Sequence, residues 1–140
     1  MTAPRAIALQ MCPFSAYLEA GLAARFEVLR WYELALEAQA AWLRDNALSV
    51  RAVATGGHVG CSPELMSALP GLQIIAINGV GTDKVDLALA QSRGIRVSTT
   101  PGTLTEDVAD LAVGLVISLL RGIPAAEGGV RLVPVRVGGQ

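Results

Sequence analysis

Short runs of apolar residues alternate with segments of helical periodicity along the first hundred positions. The run at Leu72–Ile77 is almost continuously apolar and rich in β-branched residues, which is typical of a strand buried on both faces. Asp83–Arg93 follows as a predicted helix that Gly94 ends. This alternation of strands and helices predicts a parallel sheet with helices on both of its faces. The other predicted strands are Arg5–Met11, Val28–Tyr32, Arg51–Ala54 and Ile95–Ser98, and the other predicted helices are Pro13–Phe26, Glu33–Asn46 and one that begins at Ser62.

Right-handed crossovers leave few arrangements for five such strands. We therefore predict an α/β fold with a flavodoxin-like five-stranded parallel sheet, followed by a long apolar helix over residues 103–122. Thr103 and Glu106 form a capping-box pattern at the start of that helix. Between Leu111 and Leu120 its apolar residues occupy nearly every side, so several neighbours are needed to bury it. We expect it to pack against a second domain or a second subunit.

Composition narrows the range of functions. The chain has 140 residues, 52% of them hydrophobic and 16% charged, which predicts one folded domain of ordinary size. A net charge of -1 argues against nucleic acid as a partner. The apolar run at residues 111–120 is too short to cross a membrane. Cys12, Cys61 and His58 have no metal-ligand spacing, so we assign no metal site and expect free thiols in a reducing, cytoplasmic compartment.

Two glycine-rich turns are the candidate ligand sites, because ligands of open α/β sheets bind beyond the carboxyl ends of the strands. The first, Thr55–Gly60, follows the third predicted strand and contains three glycines. The second, Asn78–Asp83, follows the fourth strand. Glycines let the backbone approach a ligand and direct its N–H groups at an anion. The alternative is that both are tight connections that bind nothing, and the sequence leaves the two interpretations open.

Other candidate groups carry a weaker signal. Gly79 and Gly81 begin a dinucleotide fingerprint, but Lys84 stands where the third glycine belongs. His58 lies in the first turn and is a candidate acid or base, although a lone loop histidine without a carboxylate partner close in sequence is more often a solvated side chain. Cys61 has no triad-like companions, which favours a buried inert thiol. We assign no catalytic residue to the chain.

A family resemblance covers roughly residues 5–127. In order and spacing, its motifs are similar to the N-terminal half of the D-2-hydroxyacid dehydrogenases, with the glyoxylate and hydroxypyruvate reductases as the nearest subgroup. The most specific motifs are the Gly-Val-Gly-Thr-Asp turn at Gly79 and the Thr-Glu-Asp-Val-Ala-Asp segment at Thr105. The segments that carry the resemblance are Val50–Gly57, Leu69–Ile75, Gly79–Asp86, Arg93–Val97 and Thr105–Ala112.

The resemblance implies a separate role for each of three segments of the chain. Residues 1–98 would form a substrate-binding domain, residues 99–127 an interdomain helix region, and residues 128–140 an atypical tail. A small 2-oxo or 2-hydroxy carboxylate would be the substrate and NAD or NADP the cofactor. The helix at 103–122 would mediate a homodimer. Backbone groups of Thr55, Gly56, Gly57, His58, Val59 and Gly79 would hold the substrate carboxylate, and Leu104 and Val108 would lie near the nicotinamide.

The sequence also departs from the family pattern. The Rossmann fingerprint expected after Arg131 is absent, as are the arginine and the glutamate–histidine pair that carry catalysis in the family. We interpret this as truncation before the cofactor domain. We therefore expect no bound cofactor and no activity of the chain alone, and leave open whether it acts as an enzyme. The alternative is a non-catalytic module that binds a small carboxylate or dimerises.

Overall fold

The computed structural model of the protein describes residues 5–132, and side chains for residues 5–128. The chain divides into two compact units, the first ending at Thr100 and the second beginning at Pro101. The strands are β1 Ile7–Gln10, β2 Glu27–Arg30, β3 Val50–Gly56, β4 Ile74–Asn78 and β5 Arg96–Ser98. The helices are α1 Ala16–Ala23, α2 Leu36–Asn46, α3 Pro63–Ala68, α4 Leu87–Ser92, α5 Thr105–Leu120 and α6 Ile123–Leu132.

All five strands of the first unit join one parallel sheet in the order β2-β1-β3-β4-β5. This order is the flavodoxin-like one, so the predicted fold class of this unit is confirmed. A central row of side chains crosses the sheet because Leu9 pairs with Val53 and Val53 pairs with Ile75. All three are fully buried, and each contributes roughly 1.5–3 kcal/mol by leaving water.

Helices cover both faces of the sheet. The face that carries the Leu9 row packs against side chains from α2, α3 and α4, with Met66 of α3 and Ala90 of α4 buried in the same cluster. On the opposite face, Leu18 and Leu22 of α1 line a small cavity of about 160 Å³ together with Ala76 of β4.

Three predicted boundaries were displaced by local structure. The second strand ends at Arg30, because Trp31–Glu33 form a 3-10 turn that puts the indole of Trp31 into the core, and α2 begins only at Leu36. The fourth helix begins at Leu87 instead of Asp83, because Val85 forms a parallel β-bridge with Cys61 and is held extended.

The second unit contains α5 and α6. The N-cap of α5 is Leu104, without a side-chain cap, so the helix is shorter than the predicted span 103–122 and Thr103 is not its N-cap residue. The apolar side chains of α5 are exposed, Leu119 by 82%. α6 was not predicted, since its glycines obscure the helical pattern. Most of the predicted tail at 128–140 lies outside the described residues.

Candidate functional site

The candidate site lies at the carboxyl edge of the sheet, where parallel strands all end on the same side. Two connections meet there: the β3 turn, defined as residues 56–60, and the β4 turn, defined as residues 79–82. They are neighbours because Gly56 at the end of β3 pairs with Asn78 at the end of β4. Six of the eight predicted binding residues are therefore collected at one edge, and the other two, Leu104 and Val108, belong to the second unit.

The β3 turn is tightly closed by its own backbone. The carbonyl of Gly56 accepts the N–H groups of Val59, at 3.1 Å, and Gly60, at 3.0 Å. The hydroxyl of Thr55 is fully buried and donates to the carbonyl of Gly60 at 2.8 Å. Thr55 thus holds the turn from inside, and its hydroxyl is not available to a ligand. Among the described residues, the backbone N–H of His58 has no hydrogen-bond acceptor.

The two turns approach one another closely, and the space beside Gly57 is tight for a side chain. A Cβ atom added to Gly57 would lie 3.2 Å from the carbonyl oxygen of Gly81. One added to Gly79, whose φ is +145°, would lie 3.6 Å from the backbone nitrogen of Gly57. Only backbone atoms line this contact, so any ligand here meets N–H and C=O groups. Such an arrangement suits a small anion.

The β3 turn is also anchored on its far side. Gly60 has φ +71°, and a Cβ atom there would overlap the backbone of Lys84, with the carbonyl carbon only 2.6 Å away. The N–H of Cys61 donates to the carbonyl of Lys84 at 3.0 Å. The turn is therefore attached to the segment before α4 at a point where any side chain would push the two apart.

His58 and two cysteines surround this edge without forming a catalytic set. A Cβ atom on Gly56 would lie 2.9 Å from Cε1 of His58 and 3.4 Å from Sγ of Cys12, so the imidazole and the thiol flank that glycine. Burial raises the pKa of the Cys12 thiol, and a hydrogen bond with the Gly56 backbone opposes the rise. Burial raises the pKa of Cys61 to about 11. Both thiols are therefore neutral, and no carboxylate among the described residues hydrogen-bonds to His58.

The backbone of Gly79 is held by a residue that the sequence did not single out. Its N–H donates to Oγ1 of Thr100 at 3.0 Å, and its carbonyl accepts the N–H of Thr100 at 2.9 Å. The available signal was weak: two threonines, Thr99 and Thr100, follow β5 and end at the same edge of the sheet, just before Pro101.

The β4 turn does not have the arrangement that binds the phosphates of a dinucleotide. The phosphate-binding arrangement is a strand, a glycine turn and then a helix with a free N-terminus. Here the β4 turn does not enter a helix, because Asp83 and Lys84 form a turn that the N–H of Val85 closes on the carbonyl of Thr82 at 2.9 Å, and Asp86 is extended. When α4 does begin, the carboxylate of Asp86 already accepts the N–H of Leu89 at 2.9 Å. An acidic cap at this point repels a phosphate. No group of three or more metal-ligating side chains occurs among the described residues either.

The family model for the D-isomer specific 2-hydroxyacid dehydrogenases, catalytic domain, matches residues 15–129. The chain belongs to this family. Its hydroxyphenylpyruvate reductase relative from Plectranthus scutellarioides is 45% identical over 123 residues, which are 88% of this chain and 39% of that protein. A glyoxylate/hydroxypyruvate reductase A from Arabidopsis thaliana is 43% identical over 88% of this chain and 39% of its own length.

Solved structures of family members have the same fold. A 2-hydroxyacid dehydrogenase from Ketogulonicigenium vulgare Y25 superposes with a TM-score of 0.84 and 41% identity, covering 91% of this chain and 40% of that one. An NADPH-dependent glyoxylate/hydroxypyruvate reductase from Sinorhizobium meliloti, in complex with NADP and malonate, gives 0.71 and 34%, covering 91% and 38%. This chain thus spans about 40% of the length of these relatives. The resemblance seen in the sequence is confirmed at the level of the family.

Within residues 5–132, no helix combines the length and the hydrophobicity that a membrane crossing requires.

An apolar groove of about 440 Å³ borders the β3 turn at Val59 and Gly60, with Trp31 and Leu43 among its lining residues.

Proposed function

We propose that this chain supplies the substrate-carboxylate site of an NAD(P)-dependent 2-hydroxyacid dehydrogenase of the glyoxylate and hydroxypyruvate class. The observation that carries the proposal is the contact between the two glycine turns, where the backbone of Gly57 lies against that of Gly81. Peptide N–H groups at such a point are donors for a carboxylate. The N–H of His58 has no acceptor among the described residues, so it is a candidate donor for the ligand.

The names of the relatives support the substrate class. Hydroxyphenylpyruvate, hydroxypyruvate and glyoxylate share a carboxylate next to a carbonyl and differ in the side chain. The shared group matches a site built from backbone atoms, because such a site recognises the carboxylate whatever is attached to it. The apolar groove beside Val59 has room for a side chain of moderate size.

The roles of the segments follow the same proposal. Residues 1–98 act as the substrate-binding domain, residues 99–127 connect it to a cofactor domain, and residues 128–140 form a tail without an assigned role. Leu104 and Val108, both exposed at the start of α5, lie near the nicotinamide of NAD or NADP when a cofactor domain is present. Since the β4 turn lacks a dinucleotide phosphate site, we expect no turnover by the 140 residues alone.

The test uses the purified chain. Oxidation of NADH and of NADPH is followed with glyoxylate and with hydroxypyruvate, and we expect no rate above that of a mock purification. Binding of malonate, followed by nuclear magnetic resonance of the backbone amides, is expected at the β3 turn. Turnover would show that residues assigned here to structure bind the cofactor. An absence of malonate binding at His58 and its neighbours would contradict the proposed carboxylate site.

A second candidate is a non-catalytic dimerising module, which the exposed apolar surface of α5 favours. Its leucines, valines and isoleucine are at least half exposed, and surfaces of this kind mark association sites. We propose a homodimer through this helix. Leu111→Glu and Leu115→Glu, one turn apart on the same side, should dissociate it, whereas Leu36→Glu in the first unit, 77% exposed, should not. Sedimentation equilibrium distinguishes the states, and a wild-type monomer at high micromolar concentration contradicts the dimer.

A cytoplasmic location completes the proposal. Cys12 and Cys61 are both free thiols, which suits a reducing compartment. Localisation of the tagged chain in cells tests this, and secretion would contradict it.

A further inference from the structure

The N–H of Gly79, one of the proposed carboxylate donors, already has a hydrogen-bond acceptor in this structure. Oγ1 of Thr100 accepts it at 3.0 Å, and the N–H of Thr100 donates to the carbonyl of Gly79 at 2.9 Å. The same hydroxyl donates to that carbonyl at 3.3 Å. The two residues are 21 positions apart and join the β4 turn to the end of β5.

We propose that Thr100 is a positioning residue that acts as a latch on the carboxylate site. Its hydroxyl accepts the Gly79 N–H while no ligand is bound, and a bound carboxylate takes that N–H over. This rests on the proposed function, together with the family resemblance, which implies that Gly79 is one of the carboxylate donors. The reciprocal bond from the Thr100 N–H to the Gly79 carbonyl does not involve the side chain, so it stays in place when the hydroxyl rotates away.

The exchange is favourable for chemical reasons. A carboxylate is a charged acceptor, and a hydrogen bond to it is stronger than one to a neutral hydroxyl. Rotation of the hydroxyl also breaks its longer bond to the Gly79 carbonyl. The latch still lowers affinity, chiefly because the Gly79 N–H gives up an ordinary hydrogen bond to the hydroxyl. Such a bond corresponds to roughly a fivefold change in an equilibrium constant. Both groups lie at the carboxyl edge of the sheet, where Thr100 is exposed to solvent and within reach of a ligand.

The experiment measures malonate binding to the full chain by backbone amide shifts, with sodium chloride at equal ionic strength as the blank. Thr100→Val removes the acceptor but keeps the shape, and should tighten malonate binding about fivefold. Thr100→Ser keeps an acceptor and should bind as the wild type does. Thr99→Val is the matched control, because the neighbouring threonine loses its hydroxyl without touching Gly79. In the wild type, the Gly79 amide should shift along with that of His58.

Each other result has a definite meaning. Unchanged or weaker binding by Thr100→Val overturns the latch. A response at His58 without one at Gly79 also overturns it, while the proposed carboxylate site stands. If no amide responds in any variant, the carboxylate site and the latch both fail. If Thr100→Val does not fold, Thr100→Ala replaces it, and if neither folds the wild-type response of Gly79 decides.

Discussion

Alanine at Gly60 is the sharpest test of how the β3 turn is built. Gly60 has φ +71°, and a Cβ atom there would overlap the backbone of Lys84. Movement of either the turn or the segment before α4 would break hydrogen bonds, because the N–H of Cys61 donates to the Lys84 carbonyl and the Thr55 hydroxyl donates to the Gly60 carbonyl. The substitution should therefore separate two stretches of backbone that define one side of the candidate site.

A second glycine with the same backbone conformation separates the cost of that conformation from the cost of the overlap with Lys84. Gly94 has φ +68°, nearly the same conformation, but nothing lies within 4 Å of a Cβ atom added there. Gly94→Ala therefore measures the cost of a left-handed alanine alone, about 1 kcal/mol. Gly60→Ala adds the overlap with Lys84, and overpacking of this kind costs about 1–3 kcal/mol more. We expect a total loss of about 3 kcal/mol in the free energy of unfolding at Gly60.

Urea unfolding followed by tryptophan fluorescence provides the assay. The two tryptophans, Trp31 and Trp42, stack edge to face in the first unit with ring centroids 6.1 Å apart, so their signal reports on that unit. With an ordinary denaturant slope, the midpoint should fall by about 1.5 M for Gly60→Ala and about 0.5 M for Gly94→Ala. Equal midpoints for the two variants would refute the argument that contact with Lys84 matters.

Three further predictions concern stability. Arg93→Met should lower the free energy of unfolding by about 2 kcal/mol, because the guanidinium donates to two carbonyls at the end of α3. Arg96→Met, at an exposed arginine, is the control. Equal urea midpoints for the two variants would contradict the reasoning. Burial raises the pKa of Cys61 from 9.0 to about 11. The stability that the neutral thiol contributes to the folded state is therefore complete below pH 9 and is lost as the pH rises toward 11. Cys61→Ala should flatten the decline in melting temperature over that range, and an unaltered decline would count against this reasoning. Gly21→Ala, inside α1 with open space around it, should raise stability by about 0.5–1 kcal/mol, and a lower urea midpoint would show hidden crowding.

Local signals predicted much of the first unit correctly. The pattern Ser62-Pro-Glu predicted a capped helix, and Oγ of Ser62 indeed accepts the N–H of Leu65 at 3.2 Å. The apolar run at Leu72–Ile77 became the buried strand β4. These predictions succeeded because caps and buried strands depend on residues within a few positions of each other. The family, too, could be read from the chain, since its motifs are local.

Long-range contacts account for the predictions that failed. The helix predicted from Asp83 begins only at Leu87, because the bridge between Val85 and Cys61 holds the chain out of a helix before that point. The pattern at residues 31–33 gave no sign of a 3-10 turn, which forms where Trp31 enters the core. In each case a partner distant in sequence overrode the local preference.

The sequence by itself determined the class of fold, the family, and the presence of glycine turns at two strand ends, because each depends on residue type and spacing. Only the tertiary structure decided that Gly57 touches Gly81, that Gly60 excludes any side chain beside Lys84, and that Thr100 accepts the Gly79 N–H. Hydrogen-bond partners at a sheet edge are chosen by the register of neighbouring strands. That register brings together residues 21 positions apart, a distance over which no local pattern in the chain carries information.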